Sequence, residues 1–227
     1  MRRVRMSAEL PPGTRVDHRI IYDVVDQGSR VLDLGCGEGD LLSLLVRYKD
    51  VKGQGIELDD TAVRECVRKG VNAFQSDIET GLEEYPDHSF DYVILNQSMQ
   101  QVRRVDFLVE EALRVGDTLI VGFPNFAHWS ARCMLFFKGR APITDSLPYR
   151  WSDTPNVRFL STKDFTDFCR IKNIRIHKTI YLGRRRRIRW FPNLFAVNAI
   201  FVVSRSPSPS DKADRSTATG REEIRPS

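Results

Sequence analysis

The segment Arg30-Val31-Leu32-Asp33-Leu34-Gly35-Cys36-Gly37-Glu38-Gly39-Asp40 constrains this chain more than any other. Val31, Leu32 and Leu34 supply an apolar strand, and Leu41, Leu42, Leu44 and Leu45 then recur at helical spacing. Between them Gly35, Gly37 and Gly39 remove side chains where the backbone turns sharply and a ligand can approach it closely. A buried strand that passes through a glycine loop into a helix reads as a nucleotide cradle.

The spacing narrows the nucleotide. A dinucleotide fingerprint runs G-x-G-x-x-G and places a pyrophosphate at the helix N-terminus. Here the third glycine comes one residue early, and Asp40 stands where the fingerprint expects glycine. Asp33, Glu38 and Asp40 would repel a pyrophosphate but suit a ligand with an ammonium and a sulfonium, which points to S-adenosylmethionine; its demethylated product S-adenosylhomocysteine is expected to bind as well. The segment resembles motif I of the class I methyltransferases. About 20 residues beyond such a loop, an acid at the end of the second strand accepts hydrogen bonds from ribose hydroxyls, and Glu57 of Lys52-Gly53-Gln54-Gly55-Ile56-Glu57-Leu58 has that position. Asn72 to Ile78 is read as a third short strand, ending in the acid Asp77. The β-rich run Phe90 to Asn96 suits a central strand buried on both faces, so that Asn96-Gln97 opens on the ligand crevice.

The rest of the chain alternates in the same way. Ile20, Ile21, Val24 and Val25 make the apolar face of a covering helix that stops at Gly28-Ser29. Helices are predicted over Thr61 to Lys69, Phe107 to Val115 and Thr162 to Lys172, and strands over Asp117 to Phe123, Ile174 to Leu182 and Phe195 to Val203. Strands and helices alternating at this spacing imply an α/β fold with a parallel, doubly wound sheet. The expected organisation is an N-terminal extension over 1–16, one domain over 17–203 and a disordered tail over 204–227 whose Ser-Pro repeats and charges cannot bury apolar area. An insertion over 124–160, with an apolar helical stretch from Met134 to Phe137, follows the fifth strand and is placed to cover the crevice.

At 227 residues, 41% hydrophobic and 29% charged, the chain has ordinary globular composition, without a signal-peptide core or a stretch of membrane-spanning length, so a cytoplasmic protein with no membrane partner is expected. Cys36, Cys66, Cys133 and Cys169 have no C-x-x-C spacing, so neither a metal site nor a disulfide framework is indicated, and Cys36 packs in the loop beside the ligand. Arg184, Arg185, Arg186, Arg187 and Arg189 carry as many charges as the whole net excess of +5. Such a run is either a solvated turn or a patch for an acidic partner surface. No nucleic-acid motif accompanies it, and nucleic acid is not an expected partner.

The order of the glycine loop, Asn96-Gln97-Ser98-Met99-Gln100-Gln101-Val102, Phe123-Pro124-Asn125-Phe126-Ala127-His128-Trp129, Leu147-Pro148-Tyr149, Asp153-Thr154-Pro155-Asn156 and Pro192-Asn193-Leu194 resembles the methionine biosynthesis family MetW, from about the first helix to the final strand. That resemblance implies a Rossmann-like class I methyltransferase fold, a mostly parallel seven-stranded sheet with an antiparallel last strand and helices on both faces. It also implies association with homoserine O-acyltransferase, using an acetyl or succinyl donor, as an accessory or regulator in methionine synthesis. By position it carries Asp33, Gly35 and Gly37 to the methionine end of the cofactor, Glu57 to the ribose and Asp77 to the adenine amino group. Leu58 and Ile78 would flank the adenine ring, and Asn96 and Gln97 would line the methyl end.

Methyl transfer itself, for example to a small molecule, is left open. Its in-line displacement rests on positioning, with a base needed only where the acceptor must lose a proton. After the fourth strand there is no N-P-P-Tyr pattern, and Gln97, Gln100 and Gln101 cannot accept a proton near neutral pH. Of His18, His88, His128 and His177, only His128 lies in the insertion, with Tyr149 and Asp153 as further polar candidates, and no catalytic residue is assigned.

Overall fold

The computed structural model describes residues 10–184 and 186–206. Most of the expected N-terminal extension (1–9), Arg185 of the arginine run and most of the expected tail (207–227) therefore lie outside the described residues.

Seven strands form one sheet in the order β3-β2-β1-β4-β5-β7-β6. They are β1 (Arg30–Leu34), β2 (Lys52–Glu57), β3 (Asn72–Gln75), β4 (Phe90–Asn96), β5 (Gly116–Pro124), β6 (Ile174–Leu182) and β7 (Asn198–Arg205). Strands β1 to β5 run parallel, whereas β7 inserts antiparallel between β5 and β6. The chain winds outward from β1 to β3 and then returns to β4 on the other side of β1. Connections leaving β1 and β4 therefore part to opposite faces, and a crevice opens at their C-terminal ends.

Alternation of apolar side chains builds a core on each face. Leu119, Val121 and Phe123 of β5 join one cluster, with Leu108 and Ala112 of helix α4 (Val105–Val115) and Phe165 and Cys169 of helix α6 (Thr162–Ile171). Ile120 of the same strand joins the other, with Ile20 and Ile21 of α1 (Val16–Val24), Leu41, Leu42 and Leu45 of α2 (Asp40–Lys49) and Cys66 of α3 (Asp60–Arg68). Helix α6 starts in a capping box, Ser161 with Asp164, which satisfies two amides at its N-terminus.

Most sequence boundaries shift by one or two residues, and the larger differences fall in three places. Strand β3 stops at Gln75, so Asp77 lies in the loop beyond it rather than closing the strand. The last strand starts at Asn198 instead of Phe195 and runs to Arg205, past the expected limit at 203, because Pro192 opens a helical turn, α7 (Pro192–Phe195), and its fixed φ suits a first helical position. The insertion carries a full helix, α5 (Trp129–Lys138), longer than the Met134 to Phe137 stretch.

Candidate functional site

The glycine loop takes its shape from positive φ angles and from its neighbours. Gly35 has φ +75°, and a Cβ there would stand 2.7 Å from Cβ of Ser98. Gly37 has φ +54°, and a Cβ there would meet nothing within 4 Å, so this part of the loop faces open space. The amides of Gly35 and Cys36 both donate to the carbonyl of Ile56, at 2.8 and 3.2 Å. Next along β2, Glu57 closes the cradle: Oε2 accepts from the Gly37 amide at 2.8 Å, and Oε1 accepts from the amides of Leu58 and Asp59 at 2.8 and 3.1 Å. The Cys36 and Cys66 sulfurs lie 3.8 Å apart beneath the loop, and burial raises both thiol pKa values. Cys36 thus packs as a neutral thiol.

Asp33 has the opposite character to Glu57. Its side chain is 3% exposed, and among the described residues no donor hydrogen-bonds to it. Burial, and after it the neighbouring Glu57 charge, push its pKa from 3.8 up to about 7. A buried carboxyl short of a partner favours a cation in the adjoining space.

Asp33, Gly35, Cys36, Gly37, Glu57, Leu58, Asp77, Ile78, Asn96 and Gln97 all line one cleft of about 1130 Å³ at the strand reversal. Leu58 is 66% exposed and Ile78 half-buried beside it in the wall. Asp77 Oδ1 accepts from the Glu79 amide at 2.9 Å, which fixes the turn after β3. Gln97 has φ +65°, and its amide donates to the Gly122 carbonyl at 2.7 Å. The Asn96 amide nitrogen donates to Asp17 at 2.9 Å, while its buried oxygen has no donor among the described residues. Burial opposes ionisation of Asp17, but the Asn96 hydrogen bond and the Arg15 guanidinium outweigh it and hold the carboxyl below its ordinary range.

The cleft also contains Arg15, His18, Arg103 and Arg104, which the sequence reading did not place there, and Tyr149, which it named as a polar candidate. His18 has the clearest sequence signal, since it precedes Ile21 and Tyr22 by three and four residues and so shares their buried helix face. Burial holds its imidazole below the ordinary pKa, outweighing the opposing Asp17 charge, so it is neutral near pH 7. His128, the histidine singled out in the insertion, does not reach the cleft. Its Nδ1 accepts from the Ser130 amide and caps α5. Asp153 is also absent from the lining, and of the insertion only Tyr149 reaches it among the described residues.

Within the described residues no group of three or more His, Cys, Asp or Glu could hold a metal ion, and no helix is long and apolar enough to cross a membrane.

Residues 15–203 match the family described as methionine biosynthesis protein MetW. The chain belongs to this family. The bifunctional methionine biosynthesis protein MetXA/MetW of Rhodopirellula baltica is 33% identical over an alignment of 203 residues that covers 84% of this chain and 33% of that protein. This MetW chain thus spans about a third of its relative's length. A solved SAM-dependent methyltransferase of Thermotoga maritima, described as a possible histamine N-methyltransferase, superposes with a TM-score of 0.62 at 17% identity, covering 84% of this chain and 88% of that one. The [4+2]-cyclase SpnF gives 0.61 at 17% identity over 84% and 81%. The fold is therefore that of the class I methyltransferases, and a cyclase among its neighbours illustrates that this architecture does not dictate one reaction.

Proposed function

We propose that this MetW protein binds S-adenosylmethionine, or S-adenosylhomocysteine, and acts in L-methionine biosynthesis as an accessory or regulator of homoserine O-acyltransferase. The observation that carries the cofactor reading is Asp33, a buried carboxyl without a donor beside a glycine loop whose backbone faces open space. An ammonium group at the methionine end would supply its missing cation, and Glu57 would take the ribose. Asp77 would meet the adenine amino group, with Leu58 and Ile78 against the ring. Asn96 and Gln97 would line the methyl end, where the Asn96 oxygen still has acceptor capacity. When bound, S-adenosylmethionine supplies an electrophilic methyl group. The partner reading is supported by a relative whose name joins MetXA to MetW in a single chain.

Two measurements test this reading. Calorimetry should detect S-adenosylmethionine binding and no comparable NAD binding, because the acidic loop disfavours a pyrophosphate; tighter NAD binding would overturn the cofactor assignment. Homoserine O-acyltransferase should co-purify with this protein, and failure of the purified pair to associate would overturn the partner assignment.

A second reading, methyl transfer to a small molecule, is favoured by one observation: the neutral imidazole of His18 lines the cleft and offers a proton acceptor. Labelled methyl groups entering a metabolite pool would support it, and none entering would leave the accessory role.

A further inference from the structure

The second large concavity of the molecule has a different composition from the ligand cleft. It is a groove of about 1160 Å³ between the start of α5 and the loop joining β6 to β7. Leu182 of β6 and Pro124 of β5 both pair with Asn198 of β7, so loop and insertion leave the same edge of the sheet that bears the cleft. Trp129, Trp190 and Phe195 line the groove, and Arg186, Arg187 and Arg189 surround it. Among the described residues no carboxylate pairs with those three arginines, whereas Arg184 pairs with Asp145 at 2.8 Å.

The aromatic groups are presented by a fixed loop. Asn125, fully buried, donates to the carbonyls of Asn193 and Ala196 at 3.2 and 2.9 Å, and the Asn193 side chain accepts from Thr162 at 2.9 Å. The Ile188 amide donates to the Tyr181 carbonyl at 2.9 Å. Phe191 has φ +46°, a conformation that an aromatic residue adopts only when its surroundings impose it. Trp190 nevertheless stands 80% exposed at the crest.

Beside the groove, α5 is a helix with little to pack on. Ala131 is its one buried residue, and Phe136 and Phe137 are 83% and 76% exposed. Exposed aromatic side chains beside arginines that pair with no carboxylate among the described residues have the composition of an interface core and its border.

We infer that this groove and the exposed face of α5 form a docking surface for a protein that presents carboxylates around an apolar centre. Resting on the function proposed above, that protein is homoserine O-acyltransferase. A second copy of this chain fits poorly, because a twofold contact through the same patch would set arginine against arginine. Single-stranded nucleic acid would use the arginines and tryptophans but leave Phe136 and Phe137 uncovered.

The test measures binding of purified homoserine O-acyltransferase to the full-length protein and to two variants, R186E/R187E/R189E and W190A. S-adenosylmethionine affinity, measured in each, verifies that the fold is intact. Wild type should bind. The triple variant should bind roughly tenfold or more weakly at low salt, with the gap narrowing as salt is added. W190A should bind about thirtyfold more weakly at every salt concentration, as expected for a central aromatic anchor. Equal acyltransferase binding by wild type and both variants overturns the docking surface while leaving the proposed partnership intact. No binding by wild type removes the partnership and this surface assignment together. Salt-sensitive binding of single-stranded RNA that the triple variant loses, with acyltransferase binding unchanged, reassigns the groove to nucleic acid. A wild-type dimer that W190A converts to monomer, again with acyltransferase binding unchanged, reassigns it to self-association.

Discussion

Replacing Asp33 with asparagine removes a charge and keeps the side-chain shape, and its effect on stability should depend on pH with a definite sign. The Asp33 pKa is raised from 3.8 to about 7 by burial and then by Glu57. Between those values the ligand-free folded protein holds a proton that the unfolded chain has released. Stability therefore falls as pH rises through that window and is level above it. About three pKa units at ~1.4 kcal/mol each give about 4 kcal/mol as an upper bound. Water entering from the cleft solvates part of the carboxylate, which lowers the expected gain of Asp33→Asn near pH 8.5 to roughly 2 kcal/mol, or about 4 to 8 °C in melting midpoint for a domain of this size. The gain should shrink as pH falls, part of it remaining near pH 5, and should vanish only below about pH 3.8, where the unfolded chain keeps its proton as well. Calorimetry on the same pair should show S-adenosylmethionine affinity reduced about a hundredfold or more at pH 8.5, because the buried partner of a cation is gone. Equal midpoints at both pH values, or a variant less stable near pH 8.5, would refute the claim that Asp33 is an unpartnered buried acid.

Substitutions at three further positions probe the cradle. Glu57→Gln should behave almost as badly as Glu57→Ala: the amide nitrogen would face either the Gly37 amide or those of Leu58 and Asp59, and calorimetry should show about tenfold or more loss in cofactor affinity for both. Wild-type affinity in Glu57→Gln would mean that these hydrogen bonds do not shape the site. Gly35→Ala should destabilise the fold by about 2 kcal/mol or more in denaturant titration, since it adds a Cβ at 2.7 Å from Ser98 to the cost of a left-handed backbone. Gly37→Ala carries only the backbone cost, roughly 1 to 2 kcal/mol, because its Cβ would meet no protein atom, but it should weaken cofactor binding more than its stability loss explains. A Gly37→Ala protein with unchanged affinity would place the ligand elsewhere.

What the sequence revealed and what it hid divide along the range of the interactions. The bounds of β4, Phe90 to Asn96, are those of its apolar run, and the glycine loop follows β1 where the spacing puts it. These features are local. The end of β3 is not: Asn72–Gln75 is a short edge strand, mostly exposed, and its length depends on pairing with β2 rather than on its own pattern. Choosing between His18 and His128 needed tertiary information as well, because each precedes an aromatic or apolar helix face. Only the packing of α1 over the cleft brings His18 to it, while His128 spends its acceptor on capping α5. The aromatic crest at Trp190 was visible as composition, but the turn that follows it is tied by hydrogen bonds from Asn125, about 70 residues distant in the chain, to the Asn193 and Ala196 carbonyls, and no periodicity encodes those bonds.

The two acids of the cradle divide the work in a way that bears on regulation. Glu57 already accepts three backbone amides in the ligand-free protein, and an ionised carboxylate offers about four acceptor positions, so one position can take a ribose hydroxyl without releasing the loop. On the proposed reading, the ribose end is therefore built in advance. Asp33 is the group whose state changes, because it lies near its proton-binding midpoint at neutral pH until a cation arrives. Binding of a cationic ligand then draws its pKa down and releases a proton. A neutral ligand would leave that proton in place, so calorimetry in buffers of different ionisation enthalpy distinguishes the two. The proposed role as a regulator of homoserine O-acyltransferase requires only this binding event and its communication to that partner. Among the described residues Tyr149 is the member of the insertion that lines the cleft, and the same insertion carries α5 with its exposed aromatic side chains.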